Sequence, residues 1–434
     1  MEVNIFRSAT LSYVCQFRPR NPAAVDLALT WPSKPISRAD IKGTWDKDVL
    51  NNIPILDYPL AQSLMSIPKL FQPIQVGDIQ LAHRVVFAPA TRYRADDNHT
   101  PFPHVAEYYG QRASQPGSLI ISEATLIAER AGASKHSPGI WSDEQIAAWK
   151  KVTENVHAKG SFMYLQLWAL GRVFHNYSDP AEANIPYVSA SDVPLTGGPT
   201  PRALTVDEIQ EYIQLYATAA SNAVHKAGFD GVEIHSANGY LLDQFLHDQS
   251  NIRTDAYGGS IENRARFPLE VVDAVVKAVG QKKTALRVSP WGTVLDMHFA
   301  DPRPTYAYLF TQLRDRFPDL AYVHVVEPRV DGNQTLSEVK DGHSNDFLRE
   351  IWGGRPLISA GGYTRATAIA VAEDKGDLVA FARGYIANPD LPYRLIHDIP
   401  LAVGDRTLYY VPGSVDPKGY TDYPFAATAV KAQA

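Results

Sequence analysis

The feature that most constrains the fold of this chain is a series of short, almost wholly apolar runs separated by helical segments. They fall at 85–88, 119–121, 162–167, 232–235, 285–288, 322–326, 357–360 and 378–382. Strands of this kind, with no polar alternation, suit a parallel sheet covered on both faces. The intervening segments have readable helix ends. Ser142 and Gln145 form a capping-box pair ahead of a helix that stops at Gly160, Thr205 and Glu208 repeat the device ahead of one terminated by Gly228, and a third runs from near Ile261 to Gly280. Alternating units of this number over roughly 350 residues favour a single closed (β/α)8 TIM barrel, class α/β, over an open doubly wound sheet.

Composition narrows the partners. With 434 residues, 45% of them hydrophobic and 20% charged, the chain can bury a large core. A net charge of -6 without a dense Lys/Arg block calls for neither nucleic acid nor an anionic membrane. Cys15 is the one cysteine, which removes disulfide frameworks, thiolate metal sites and iron–sulfur clusters, predicts no metal, and suits a reducing cytoplasm. No apolar segment is long enough for a signal peptide or a membrane span. Residues 1–64 are rich in proline and polar residues and lack a sustained period, so they read as an irregular extension outside the core. The barrel domain is assigned to 65–434, with Met65 standing where an initiator could, which makes the extension an appendage or a start-site artefact.

In such barrels the reactive groups stand at the carboxyl ends of the strands. Thr91 and Arg92 follow the first run, Glu123 and Ala124 the second, Gln166 and Trp168 lie at the third, and His235, Asn238 and Tyr240 follow the fourth. Arg287 lies within the fifth, Gly361 and Gly362 follow the seventh, and Arg383 and Gly384 the eighth. His235 and Asn238 can donate hydrogen bonds to a carbonyl oxygen gaining charge, and the Tyr240 phenol can protonate the neighbouring carbon, which together describe reduction of a carbonyl-activated double bond. Taken singly, each is equally well read as a satisfied core residue. Arg287 is a cation in an apolar strand that needs an anionic ligand or an ion pair, for which Glu233 is the nearby candidate. The glycines and Arg383 match the place where barrels bind phosphate, although two glycines alone are more often a tight turn. No GxGxxG or Walker loop occurs, and no lysine ends a strand as a Schiff-base aldolase would need. A phosphorylated cofactor lying across the barrel mouth remains.

With those residues assembled, residues 69–425 resemble the old yellow enzyme family of FMN-dependent ene-reductases. The blocks that carry the resemblance are Ala88-Pro89-Ala90-Thr91-Arg92, Gln166-Leu167-Trp168, the 235–245 stretch, Tyr257-Gly258-Gly259-Ser260-Ile261-Glu262-Asn263-Arg264, Asn388-Pro389-Asp390-Leu391 and Gly419-Tyr420-Thr421-Asp422-Tyr423-Pro424. The resemblance implies FMN held by Pro89, Thr91, the Ala124 backbone and Gln166 around its ring, Arg287 at its pyrimidine edge, and Gly361, Gly362, Arg383 and Gly384 at its phosphate. It further implies NADPH as co-substrate on the same face in ping-pong turnover, His235 and Asn238 on the substrate oxygen, and Tyr240 as the acid. Trp168, Phe299 and Tyr409 are expected to line an apolar slot for an enone or enal.

Blocks such as Gly110-Gln111-Arg112-Ala113-Ser114 and Pro201-Arg202-Ala203-Leu204-Thr205 are similar to those of fungal specialised-metabolism members, including chanoclavine aldehyde reductases and isomerases. There a phenol at the Tyr240 position goes with reduction. A flavin-assisted isomerase and a catalytically silent flavin-binding barrel are the alternatives, and the chain is expected as a monomer or homodimer. Ala382, where the family often has glycine, and a shortened loop after Glu327-Pro328-Arg329-Val330 are departures that touch the phosphate site and the pocket.

Overall fold

Apolar runs too short and too uniformly hydrophobic to leave a face in water close on one another into a ring. The computed structural model describes residues 2–7, 13–18, 67–132, 134–178, 185–332 and 334–427. Barrel strands β1 (Val85–Phe87), β2 (Leu119–Ile121), β3 (Phe162–Trp168), β4 (Gly231–Ser236), β5 (Thr284–Val288), β6 (Tyr322–Val326), β7 (Leu357–Ala360) and β8 (Leu378–Phe381) pair in parallel, each with the next, and β8 returns to β1. The eight predicted runs are therefore the eight barrel strands, to within a residue at each end.

Helices α1 (His104–Arg112), α2 (Asp143–His157), α3 (Val206–Ser221), α4 (Ile261–Val279), α5 (Arg303–Arg316), α6 (Asp346–Trp352) and α7 (Arg365–Lys375) occupy the connections. Both predicted capping boxes form, at Ser142 and Thr205. After Ser221 the helix widens into a π turn, Asn222–Lys226, and the chain leaves it at Gly228, whose φ of +80° is one that glycine adopts without strain.

Side-chain alternation along the strands separates two cores. Val85, Phe87, Ile120, Leu165, Leu167, Val232, Ile234, Leu286, Val323 and Val325 face the helices, while Val86, Leu119, Tyr164, Ala285, Tyr322, Ile358 and Leu378 point inward. The inward set is plugged at the amino ends of the strands by a hairpin of Ile74–Val76 and Ile79–Leu81. Gly231 lies opposite Tyr164 in the ladder, and a β-carbon there would stand 2.4 Å from the phenol ring, so the lower interior is filled. No helix among the described residues is long and apolar enough to cross a membrane.

The chain divides into two units, Met1–Ser66 and Ile67–Ala434. Within the first, Glu2–Arg7 and Tyr13–Arg18 pair antiparallel, Glu2 with Arg18 through Arg7 with Tyr13. Two paired strands thus stand within the stretch that the sequence reads as irregular. The remainder of 1–64, and the start of the second domain at 65–66, lie outside the described residues.

Candidate active site at the barrel mouth

β4 delivers His235 to the carboxyl end of the barrel, and the turn after it sets Asn238 and Tyr240. Asn238 has φ +56°, a left-handed conformation that asparagine tolerates, and its N–H donates to Ser289 Oγ at 2.7 Å. Gly239 follows at φ +81°, where a β-carbon would crowd Leu295 and Met297 at 2.9 Å, and its N–H donates to Asp243 Oδ2 at 2.8 Å. The turn is fixed by partners on two other elements. Tyr240 then opens the short helix Leu241–Leu246.

His235 is 4% exposed. Burial, reinforced by the nearby Arg287 and His324, holds its pKa well below the ordinary value, so the ring is neutral at physiological pH. Its Nδ1 accepts the N–H of Ala237 at 3.3 Å, which leaves the ring proton on Nε2 as a donor. Tyr240 packs edge-on against Trp168 at 5.0 Å and His235 at 4.9 Å between ring centroids. Burial pushes its phenol up to about 12, and its hydroxyl lies 2.8 Å from that of Tyr177. It holds its proton firmly until a base of comparable strength, such as an enolate carbon, forms beside it.

Inside the mouth the strand register puts Gln166 beside Glu233, and Arg287 between His235 and His324. Gln166 Nε2 donates to Glu233 Oε1 at 2.8 Å, and His324 Nδ1 lies 2.9 Å from Glu233 Oε2. Burial alone would raise the Glu233 carboxyl, but His324, the Arg287 charge and the Gln166 amide outweigh it and hold the group below the usual carboxylate range. Among the described residues Arg287 makes no ion pair, and its buried Nε has no partner. Glu233 supplies field but no direct contact. A guanidinium left in this state is configured for an anionic or carbonyl-bearing ligand.

At the seventh and eighth strand ends, Gly362 takes φ +61°, and a β-carbon on Gly361 would approach that of Glu327 to 2.7 Å. Arg383 Nη2 donates to Thr335 Oγ1, on the far strand of the small hairpin Val330–Asp331 and Gln334–Thr335. Gly384 is open, with nothing closer than 4.0 Å to a built β-carbon. Arg329 belongs to the same corner: its guanidinium lies 4.5 Å over the Tyr363 ring, its buried Nη2 is unpaired, and that nitrogen is 3.5 Å from a β-carbon on Gly361. The sequence reading missed Arg329, although its place one turn past β6 was the available signal.

Thr91 and Pro89 are partly buried at the end of β1, and Ala124 is 6% exposed after β2. The segment is tied down by Glu123, whose Oε2 accepts from the N–H groups of Arg92 and Tyr93 at 3.0 and 3.3 Å. Arg92 is buried and clamps the C-terminal segment through the carbonyls of Tyr409 and Gly419. Phe299 lies against His247 and Tyr306, at 3.8 and 5.8 Å, rather than beside Trp168. Tyr409 is 3% exposed, under the Arg92 guanidinium and within 3.5 Å of the Arg383 carbonyl. Phe299 is half-buried against those rings and Tyr409 is buried, while Trp168 and Tyr240 form one wall. Tyr177, which the sequence reading also missed, carries no signal of its own, since it lies in a long connection well past its strand.

The donor set fits FMN. Its ring offers carbonyls and, when reduced, an anionic pyrimidine to the orphaned Arg287, and its phosphate suits the glycine turn flanked by Arg329 and Arg383. Residues 69–402 match the NADH:flavin oxidoreductase / NADH oxidase family. The chain is 50% identical over 369 residues to the chanoclavine-I aldehyde reductase fgaOx3 of Penicillium roqueforti (strain FM164), covering 84% of this chain and 98% of that protein. It is 44% identical over 371 residues to a probable inactive dehydrogenase, easA, of Claviceps purpurea (strain 20.1), covering 83% and 96%. Among solved structures, the old yellow enzyme from Pichia sp. AKU4542 superposes with a TM-score of 0.74 at 37% identity over 83% of this chain and 94% of that one. Morphinone reductase in complex with tetrahydroNAD does so at 0.74 and 41% over 83% and 98%.

Proposed function

The chain belongs to the NADH:flavin oxidoreductase / NADH oxidase family, that of the old yellow enzymes, and from that premise we propose an NADPH-consuming ene-reductase of α,β-unsaturated aldehydes and ketones. It is an oxidoreductase that carries FMN and draws its electrons from a reduced nicotinamide. When bound, FMN supplies a hydride to the β-carbon of the acceptor.

The chain's own residues do the rest. His235 Nε2–H and the Asn238 amide donate to the carbonyl oxygen as charge builds there, and loss of either would raise the barrier by roughly 3 kcal/mol. Tyr240 gives its proton to the α-carbon. Arg287 counters the charge of the reduced ring, with Pro89, Thr91, Ala124 and Gln166 around it. Gly361, Gly362, Arg383 and Gly384 take the phosphate. The absence of any dinucleotide motif in the sequence supports nicotinamide and enone using one face in turn, hence ping-pong turnover. The Penicillium relative, named for an aldehyde, supports an aldehyde as the acceptor; an unsaturated one, a fungal specialised pathway and the cytoplasm are part of the same proposal.

The observation that carries this reading is His235, its Nδ1 occupied by the Ala237 N–H, packed edge-on at 4.9 Å against the buried Tyr240 phenol at the carboxyl end of β4. A second reading, a silent flavin barrel, draws on the relatives described as probably inactive, and the intact His235, Asn238 and Tyr240 weigh against it. Anaerobic stopped-flow separates the two. NADPH should bleach the yellow enzyme and cyclohexenone restore it. In Tyr240→Phe the bleaching should persist while the return slows by about 100-fold or more. A flavin that bleaches but never recovers with any enone or enal would sink the proposal.

A further inference from the structure

Tyr240 has a hydroxyl neighbour that the reduction as described does not use. The Tyr177 hydroxyl lies 2.8 Å from it, and the Tyr93 phenol stands behind Tyr177, near enough for each to shift the other's titration. Tyr93 stacks edge-on with Tyr410 at 6.2 Å, and Tyr410 is 48% exposed. The phenols of Tyr177 and Tyr93 thus stand between the proton donor and the exposed Tyr410.

The line is built rather than incidental. Tyr93 sits at φ +58°, a left-handed conformation costly for an aromatic residue, and is held there by the Glu123 carboxylate on its N–H and by the N–H of Gly413 on its carbonyl. Tyr177 packs edge-on against Trp168 at 5.8 Å, the ring that also fixes Tyr240. Strain in one member and shared packing of the other two keep the hydroxyls in register.

Resting on the reductase reading above, we propose that Tyr177 and Tyr93 form a proton relay, in which the Tyr177 proton moves onto the Tyr240 oxygen as Tyr240 protonates the α-carbon. The hydride pair forms the new bond at the β-carbon, and the electrons of the double bond form the C–H bond at the α-carbon with the Tyr240 proton. Tyr177 refills Tyr240, Tyr93 refills Tyr177, and one water-derived proton enters at the exposed end. Neither Tyr177 nor Tyr93 touches the reacting atoms, so both are positioning residues that act through Tyr240.

The electrostatics agree. Burial raises all three phenols, so each holds a proton to pass, and the Tyr177 hydroxyl works against that rise at Tyr240 by solvating its phenolate. The charged and titratable groups facing the line are His235 and Arg287 at Tyr240, Glu123 at Tyr93, and Tyr410 beside all three. Glu123 itself is pushed up to about 7 by its burial.

The test uses the FMN-loaded full chain, with Tyr177→Phe, Tyr93→Phe, the double variant and Tyr240→Phe, each a loss of one or two hydroxyls. In anaerobic stopped-flow at saturating cyclohexenone, Tyr177→Phe should slow flavin reoxidation by about tenfold, less than loss of the direct acid. Its dependence on deuterium fraction should change from curved to linear. FMN content, reduction by NADPH, and reoxidation by ferricyanide, which takes electrons without needing a proton, should stay unchanged. Tyr93→Phe should act in the same direction, and the double variant should be no slower than Tyr177→Phe, as expected for groups in series. If Tyr240→Phe is slow but Tyr177→Phe matches the wild type in rate and proton inventory, the relay is overturned while the acid role of Tyr240 stands. If Tyr240→Phe also reoxidises normally, the acid role falls and the relay with it.

Discussion

The interior of this barrel has two layers built by the same strands, and they obey opposite rules. The lower layer, Leu119, Tyr164, Ala285, Tyr322, Ile358 and Leu378, is hydrophobic apart from its two phenol hydroxyls and is closed by a hairpin. Two residues higher on β3, β4, β5 and β6 stand Gln166, Glu233, Arg287 and His324, and His235 is another step up on β4. There, buried nitrogens of Arg287, His324 and Trp168 lack partners. Below, burial of hydrocarbon stabilises the fold. Above, polar groups are left short of hydrogen bonds that a ligand can complete, and the layer contributes to binding what it withholds from stability.

The sharpest way to break that contrast is Arg287→Met. Removing the unpaired cation should cost roughly 3 kcal/mol of FMN affinity, about 100-fold, measured by fluorescence titration of the apoprotein. The stability of the apoprotein should be unchanged or rise, because the guanidinium is desolvated without an ion pair. A drop in apoprotein stability with full flavin retention would mean that Arg287 belongs to the scaffold. Ile358→Ala is the converse. Ile358 is fully buried in the lower layer, and its truncation should lower unfolding free energy by about 4 kcal/mol in a urea titration while FMN affinity holds.

The two layers were unequally legible in the sequence. All eight strands can be read because a two-face-buried strand announces itself as an unbroken apolar run, and capped helices announce their starts. Residues at a strand end or a few steps past it are legible for the same reason, since the strand end fixes where they go: His235, Asn238, Thr91 and Gly361 are of this kind. Tyr177 is not, because a long connection places it and no period ties a loop residue to a strand end, whereas Arg329, three residues past β6, carried that signal and was missed. The orphaned state of Arg287 was also out of reach. It depends on Gln166 and His324 taking up the Glu233 oxygens, a three-strand arrangement that only the register reveals.

Acid should expose the lower layer through His83, which ends the loop before β1. The residue is 2% exposed, its Nε2 lies 3.0 Å from Ser118 Oγ, and its Nδ1 accepts the Val85 N–H. Burial lowers its pKa from 6.5 to about 4. The unfolded chain takes up a proton below pH 6.5 that the folded chain refuses, so the stabilising contribution is complete above that pH. It should be lost progressively as pH falls toward 4, by about 3 kcal/mol in all. His235 and His324 in the upper layer are shifted in the same direction, so the wild-type slope sums both layers. His83→Gln should flatten the profile of urea midpoints between pH 6.5 and 4 by the His83 share. If it leaves the profile as steep as before, the acid loss comes from the mouth, and the lower layer is as indifferent to pH as its hydrocarbon content implies.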